Sequence, residues 1–529
     1  MQRLIGLFLI IVLTLAAPVA GALRDLLWGG YTGYASRYLG GLPAAAPRQP
    51  RSGLVVMAFV RGMGDNESRV LPALNTLRSQ GASVSLTFDP PPFTLSKAVT
   101  LISGASPEVH GLVAQSQAGK ALPDTVFGQL QRAGKAVGVV GSQMWQDLAP
   151  SAARGELVPE GMADHDAVAI QLATQIAKDA RSPAQFLVVE LSEFSSAPDR
   201  AQATNRNLQS LIAALDLQKQ TLVVMGDAAD VSHAAPMILA GAGVRAGATA
   251  NARGEDVAPT LAALLGAPFP IQSQGNLMLS ALSDAGDAPA SAAQLTLFYE
   301  NWSEVIHQPR FAAELLRGYS SYPAFVADLN AKVAAQRATA LAQERTGRAP
   351  VLVGVGVALA ALAIVLVGLG GWRAALAAAL YFGLWLANYF LVARYGADMA
   401  ALPVLAQPAR ESAIILLVVS AVVGFASGGL DDALEAVTCA MAGLGLVVVG
   451  LAAQVAVYIF NWGATPGLFL PDAGAITSVL MALAQGAGLN TQIVSQAPAL
   501  PVPLLMALVT ALCFAIAHSR TGKNNSRYR

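Results

Sequence analysis

Between Arg51 and Leu282, short runs of apolar and often β-branched residues alternate with stretches of helical spacing. Leu54–Val60, Val84–Phe88, Ala136–Val140, Phe186–Leu191 and Thr221–Met225 are mostly apolar along their length, as strands covered on both faces must be. Val70–Gln80, Asp124–Ala133, Ala167–Ala180 and Asn205–Leu215 carry the helical segments between them. The alternation predicts an α/β domain over 51–290, a mostly parallel sheet between helices, with ligands gathering at the carboxyl ends of the strands. A helical stretch follows at Gln294–Arg348, with Trp302, Phe311, Leu315, Phe325 and Leu329 at roughly helical spacing. It is expected to form a stalk over 291–349 that packs on the domain before it.

The ends of the chain have a different character. Ile5–Leu23 is an apolar run of bilayer-spanning length between Arg3 and Arg24, an uncleaved anchor or a signal peptide cut near Ala20 or Ala22 within segment 1–24. From Pro350 the chain becomes membrane-like, and Val351–Gly370, Ala374–Val392, Ala413–Ser427, Ala436–Phe460 and Leu500–Ala517 have the length and apolarity of spans. Ala473–Ala487 is shorter and bounded by glycines and a proline, which suits an interfacial or re-entrant helix. The expectation is about six spans, five of them in a transmembrane domain over 350–518. Arg3, Arg373 and the basic tail 519–529 (Arg520, Lys523, Arg527, Arg529) then fall on the cytoplasmic side and the α/β domain is extracytoplasmic. The spans hold almost no ionisable residues, so a channel or carrier is disfavoured.

Composition adds exclusions. The chain has 529 residues, 54% hydrophobic and only 12% charged, with a formal net charge of +0. No broad basic surface for nucleic acid follows from that balance. The two cysteines, Cys439 and Cys513, both lie in apolar runs, so a disulfide framework is not expected.

Candidate chemistry concentrates in Pro90–Gly111, PPPFTLSKAVTLISGASPEVHG, where Thr94 follows three prolines and the segment ends in Ser103-Gly104 and His110-Gly111. This layout resembles the nucleophile segment of the alkaline phosphatase superfamily, in particular the type I phosphodiesterases and the phosphoethanolamine transferases of glycolipid anchor synthesis. Gly141-Ser142-Gln143-Met144-Trp145 resembles the Gly-Asp-x-x-Trp turn of those transferases, with Ser142 in place of the acid. The resemblance covers about Arg51 to Leu282 and implies that Thr94 stands at the nucleophile position. It also implies two metal ions, zinc or manganese, that activate the hydroxyl and neutralise the phosphoryl oxygens.

Most of the metal ligands implied by the resemblance have no counterpart here. Arg61 stands where the first strand would end in an aspartate ligand; a guanidinium cannot bind a cation but can replace one as fixed positive charge. Asp227 fills one position after Thr221–Met225, but Ala228 replaces the histidine. After Phe186–Leu191, Glu193 is a candidate and no histidine follows it. His233, before the apolar run Pro236–Ala240, is the candidate for the last ligand, so the metal set would be Asp227, His233 and Glu193. Asp164-His165-Asp166 is expected to be an ordinary acidic helix start.

The sequence thus implies an integral membrane protein whose exported domain is a non-catalytic binding or assembly subunit. Its expected ligand is a phosphorylated lipid or glycan near Thr94, Arg61 and Lys97, and its expected partners are the lipid bilayer and other membrane proteins. The alternative is an active metal-dependent phosphodiesterase or phosphoethanolamine transferase acting on a membrane glycolipid.

Overall fold

A computed structural model describes residues 18–38, 46–89, 93–113, 123–159, 161–162, 164–179, 183–228 and 234–387, the last nineteen by backbone alone. Beyond these it describes 449, 452–453, 455–471, 476, 479–480 and 483. The chain divides into two units, Tyr34–Ala340 and a second made of Met1–Gly33 with Leu341–Arg529.

The first unit is built on an eight-stranded sheet. In chain order the strands are β1 (Leu54–Val60), β2 (Ala82–Thr87), β3 (Val137–Gly141), β4 (Arg154–Leu157), β5 (Phe186–Leu191), β6 (Gln220–Gly226), β7 (Ala235–Gly241) and β8 (Thr249–Arg253). Across the sheet they lie in the order β4-β3-β5-β1-β6-β7-β2-β8. β7 alone runs antiparallel to its neighbours β6 and β2, and every other pairing is parallel. The mixed α/β sheet expected from the sequence is therefore present, with one reversed strand inside it.

β1 shows why the central strands are apolar throughout. Val55, Met57 and Phe59 enter one core cluster, while Leu54, Val56, Ala58 and Val60 enter another on the opposite face. Each fully buried side chain of this size contributes about 1.5–3 kcal/mol, so both faces drive the strand to the middle of the sheet. The edge strands β4, RGEL, and β8, TANAR, are polar and were not anticipated from apolar runs. Registers align the functional end: Phe59 is level with Glu190 and Met225, and Val60 with Leu191 and Gly226. Arg61-Gly62, Ser192-Glu193 and Asp227 consequently leave three adjacent strands at one level.

Two packing features bear on that end. The helix Thr94–Ser103 is buried from Leu95 to Ser103. His110 packs beneath it: its Nδ1 accepts from the Leu112 N–H at 3.0 Å and its Nε2 lies 3.1 Å from Thr100 Oγ1. Burial pushes the imidazole down to about 3, so it is neutral, and the proton sits on Nε2.

The predicted stalk is divided into Ala288–Val305, Ala312–Gly318 and the start of Tyr322–Ala387, with His307 at φ 56 in the first break. These helices are fastened to the α/β layers. The Gln294 side chain donates to the Ile271 carbonyl at 2.7 Å, and the Leu277 N–H donates to the Tyr322 hydroxyl at 2.7 Å. Arg337 grips the buried Glu108 carboxylate through two bonds of 2.8 and 2.7 Å.

In the second unit, residues 18–32 form a helix that runs past Arg24. Among the described residues, one helix, Tyr322–Gly368, is long and apolar enough to cross a membrane, and holds an 18-residue stretch of mean hydropathy 2.8. The expected span Val351–Gly370 lies in it except for its last two residues, which are helical too. The helix continues to Ala387 through Gly371 and Arg373, where the sequence suggests a turn before the span Ala374–Val392; no proline there withdraws an amide hydrogen bond. The remaining expected spans and the basic tail lie wholly or largely outside the described residues. Near Gly463, Arg348 donates to the carbonyls of Phe460 and Asn461 at 3.4 and 3.1 Å, and Glu344 accepts from the Leu468 N–H at 2.9 Å. The two Arg348 bonds satisfy carbonyls that a helix end leaves open.

After β8, the turn Gly254–Asp256 packs against Phe88 and Thr100, so closely that a side chain at Gly254 would collide with the Phe88 ring. Glu255 in this turn is 1% exposed, and neither carboxylate oxygen has a hydrogen-bond partner. Burial, with Asp89 adding and Arg253 opposing, pushes its carboxyl from 4.5 up to about 8. The folded state therefore holds a proton that the unfolded chain releases, and stability should fall as pH rises from about 4.5 to about 8. Glu255→Gln should flatten that fall, which amounts to a few kcal/mol. Urea unfolding of both proteins across this pH range measures it; parallel curves would show that Glu255 does not carry the effect.

Candidate functional site

Asp227 stands just past β6, 3% exposed, and its carboxylate joins three elements. Its Oδ1 accepts the Gly62 N–H at 2.5 Å, and its Oδ2 accepts the Thr94 hydroxyl at 3.1 Å. Gly62 has φ 69, a left-handed conformation that glycine adopts at no steric cost, and this turns its N–H toward the carboxylate after β1. Thr94 is the first residue of the buried helix Thr94–Ser103, which Phe93 precedes.

Lys97 lies one turn further along the same helix. It was expected to face a ligand, but it is 2% exposed and directs its ammonium inward, to the carbonyls of Asp227 at 2.5 Å and Ala228 at 2.7 Å. The reason is the helix itself: with every neighbour from Leu95 to Ser103 buried, the stem of Lys97 runs through the core. Ala228 is at φ 45, uncommon for a residue with a Cβ, and the backbone there brings two successive carbonyls to one ammonium. Burial raises the Asp227 carboxyl above its ordinary value, while the Lys97 charge, the Gly62 N–H and the Thr94 hydroxyl pull it part of the way back.

Arg61 follows β1 with a side chain 29% exposed, its Nε 3.9 Å from Glu190 Oε1. Glu190 is 2% exposed on β5 and accepts the Ser142 N–H through its other oxygen at 2.7 Å. Glu193 stands against Gly62, its Cγ 3.3 Å from where a Cβ would sit, and the Phe194 N–H donates to the Arg61 carbonyl at 2.8 Å. Thr94, Asp227, Lys97, Arg61 and Glu193 therefore occupy one end of the sheet. His233 lies outside the described residues. Among the described residues no three of His, Cys, Asp and Glu assemble as a metal-holding group.

Two participants, Gly62 and Glu190, were not singled out in the sequence, and a third, His165, was expected only as part of an acidic helix start. Gly62 acts through its main chain, which composition does not reveal. Glu190 could have been found as the one acid inside the apolar run FLVVEL. His165 begins the helix His165–Lys178 but reaches the end of β5, with Nδ1 3.1 Å from Asp166 Oδ1 and 3.3 Å from Ser192 Oγ. Burial would raise the Asp166 carboxyl, but hydrogen bonds from His165 and from the Ser192 N–H at 2.7 Å outweigh it and hold the group below its usual value. One imidazole nitrogen facing both oxygens ties the start of this helix to the end of β5.

Comparison with known proteins adds the following. No protein-family model matches the chain, and no curated protein matches it. Among solved structures, human ectonucleotide pyrophosphatase/phosphodiesterase 5 is 13% identical with a TM-score of 0.37, over 44% of this chain and 100% of that one. A protein in the alkaline phosphatase superfamily from Vibrio parahaemolyticus is 13% identical with a TM-score of 0.36, over 48% of this chain and 77% of that one. A 2-O GAG sulfatase is 11% identical with a TM-score of 0.36, over 43% and 73%. Scores of this size assign neither fold nor activity to the chain.

Lys97→Met should destabilise the protein by about 3 kcal/mol, because it leaves buried carbonyls without a donor and removes the charge that opposes the rise of the Asp227 carboxyl. Urea unfolding of the full chain in detergent, followed by tryptophan fluorescence, gives the value. A loss under 1 kcal/mol would show that the ammonium is not structural.

Proposed function

We propose that the unit Tyr34–Ala340 is an alkaline-phosphatase-like domain that recognises phosphate groups of a lipid or glycan without a metal ion and without turnover, in a protein anchored in a membrane with this domain outside. The observation that carries the reading is the closure of Asp227. Both of its oxygens already accept hydrogen bonds, from Gly62 and Thr94, and a buried ammonium lies on its own carbonyl. A divalent cation at this carboxylate would compete with the Thr94 and Gly62 hydrogens and sit close to a fixed positive charge. Ala228, adjacent to it, has no donor atom on its side chain. This donor set does not suit the two-metal centre that the resemblance implies, and no step is derived through such a centre.

At the end of β1, Arg61 has a partly exposed guanidinium with the planar donor geometry that phosphate oxygens favour. Its attraction for an anion is moderated by the buried Glu190 carboxylate nearby. The apolar helix Tyr322–Gly368 supports the membrane part of the reading. Other membrane proteins are its expected partners, as befits a binding or assembly subunit.

A second reading, an active phosphodiesterase or phosphoethanolamine transferase, is favoured by the contact between Thr94 and Asp227. A hydroxyl bonded to a carboxylate of raised proton affinity has a base in place.

Titration of the full chain in detergent with inorganic phosphate tests both readings. Binding should be unchanged by a chelator wash and should weaken about tenfold in Arg61→Ala, the value of one charge-assisted contact. Binding abolished by the chelator and restored by zinc would overturn the metal-free reading. Hydrolysis of bis(p-nitrophenyl) phosphate by the protein, lost in Thr94→Ala, would establish the second.

A further inference from the structure

Beside Arg61, at the carboxyl ends of β3 and β5, three buried polar atoms have no hydrogen-bond partner: Ser142 Oγ, Trp145 Nε1 and Glu190 Oε1. They belong to one neighbourhood. The Ser142 N–H donates to the other oxygen of Glu190 at 2.7 Å, and Trp145 is in the helical turn that Ser142 opens, Gln143–Leu148. The Trp145 ring meets Phe59 edge-on at 5.4 Å, and Phe59 is the residue paired with Glu190 across β1 and β5. Paired residues of a parallel ladder share a face of the sheet. That face is the one covered by the helix carrying Thr94, since Phe59 and Trp145 share a core cluster with Leu95 and Ala98. The side chains of Ser142, Trp145 and Glu190 are 6%, 0% and 2% exposed as residues, so leaving their polar atoms unmatched is costly.

We propose that Glu190, Ser142 and Trp145 form a subsite for a hydroxyl group of the ligand whose phosphate meets Arg61, so that the site selects polyol phosphates over phosphorylated amines. This rests on the phosphate-binding reading of the same site. The selection follows from the chemistry of the atoms. An indole N–H only donates and needs an acceptor; an ionised carboxylate oxygen only accepts and needs a donor; the serine hydroxyl can do either. A hydroxyl supplies both functions at once. An ammonium supplies donors alone and would leave Trp145 Nε1 unmatched. The 3.9 Å between Arg61 Nε and Glu190 Oε1 is too long for a direct hydrogen bond and is the separation at which an intervening oxygen bonds both.

Calorimetric titration of the full chain in detergent with inorganic phosphate, inositol 1-phosphate and phosphoethanolamine tests the assignment. Inositol 1-phosphate should bind about tenfold more tightly than phosphoethanolamine. Glu190→Gln, which removes the carboxylate that moderates Arg61, should tighten the binding of inorganic phosphate and both esters alike and erase that preference. Trp145→Phe, which keeps the ring packing and removes only the N–H, should reduce it and serves if Glu190→Gln does not fold. Equal affinities for the two esters, or a preference unchanged in both variants, would mean that the three atoms hold only a resident water, and would overturn the subsite while phosphate binding stands. A preference for phosphoethanolamine would overturn the hydroxyl assignment. Failure of the wild-type chain to bind any of the three would overturn the phosphate reading itself.

Discussion

A lysine ammonium that is almost fully buried governs the functional end of the sheet. An unpaired ammonium inside a protein costs several kcal/mol, so Lys97 requires acceptors within reach. It finds them in two successive carbonyls, of Asp227 and Ala228, and this fixes the path of the chain as it leaves β6. With the main chain held, the Asp227 carboxylate is directed at Gly62 and Thr94, and the helix Thr94–Ser103 is tied to the strand ends of β1 and β6. The left-handed backbone of Ala228 accompanies this arrangement. Strain of this kind persists where surrounding contacts over-determine it, and here those contacts are charged and buried.

The extent to which the sequence foretells this structure varies along the chain. β1, β5 and β6 are legible because they are covered on both faces, so their apolar runs are uninterrupted. β4 and β8 lie at the sheet edges, where RGEL and TANAR carry no such run, and only the pairing with β3 and β2 makes them strands. The reversed direction of β7 is likewise invisible, since an apolar heptamer has the same composition in either direction. Thr94 and Asp227 are picked out through the family resemblance, and the structure brings the two into contact. The direction of Lys97 is not legible, although TLSKAVTLIS has apolar residues around most of its circumference, the mark of a helix buried on all sides. A lysine within such a helix must either snorkel to the surface or find partners inside.

The segment after the sheet shows a similar limit. Its aromatic residues predict packing, but the helical spacing continues across breaks that the structure places after Val305 and after Gly318. What divides it is tertiary: Gln294, Tyr322 and Arg337 each reach a different part of the α/β layers, and one straight helix could not satisfy all three. Glu108 is the buried end of one of these ties, and its position two residues before His110 joins the end of the motif to a helix that begins more than two hundred residues later.

The Lys97 contact also affects how the history of this protein can be traced. Both acceptors are main-chain oxygens, which every residue type provides, so the side chains at positions 227 and 228 can change without releasing the lysine. Such a contact leaves no correlated pair of substitutions in a set of related sequences. Methods that infer proximity from covariation will pass over the interaction that orders this end of the sheet, and the lysine will register only as a solitary invariant position.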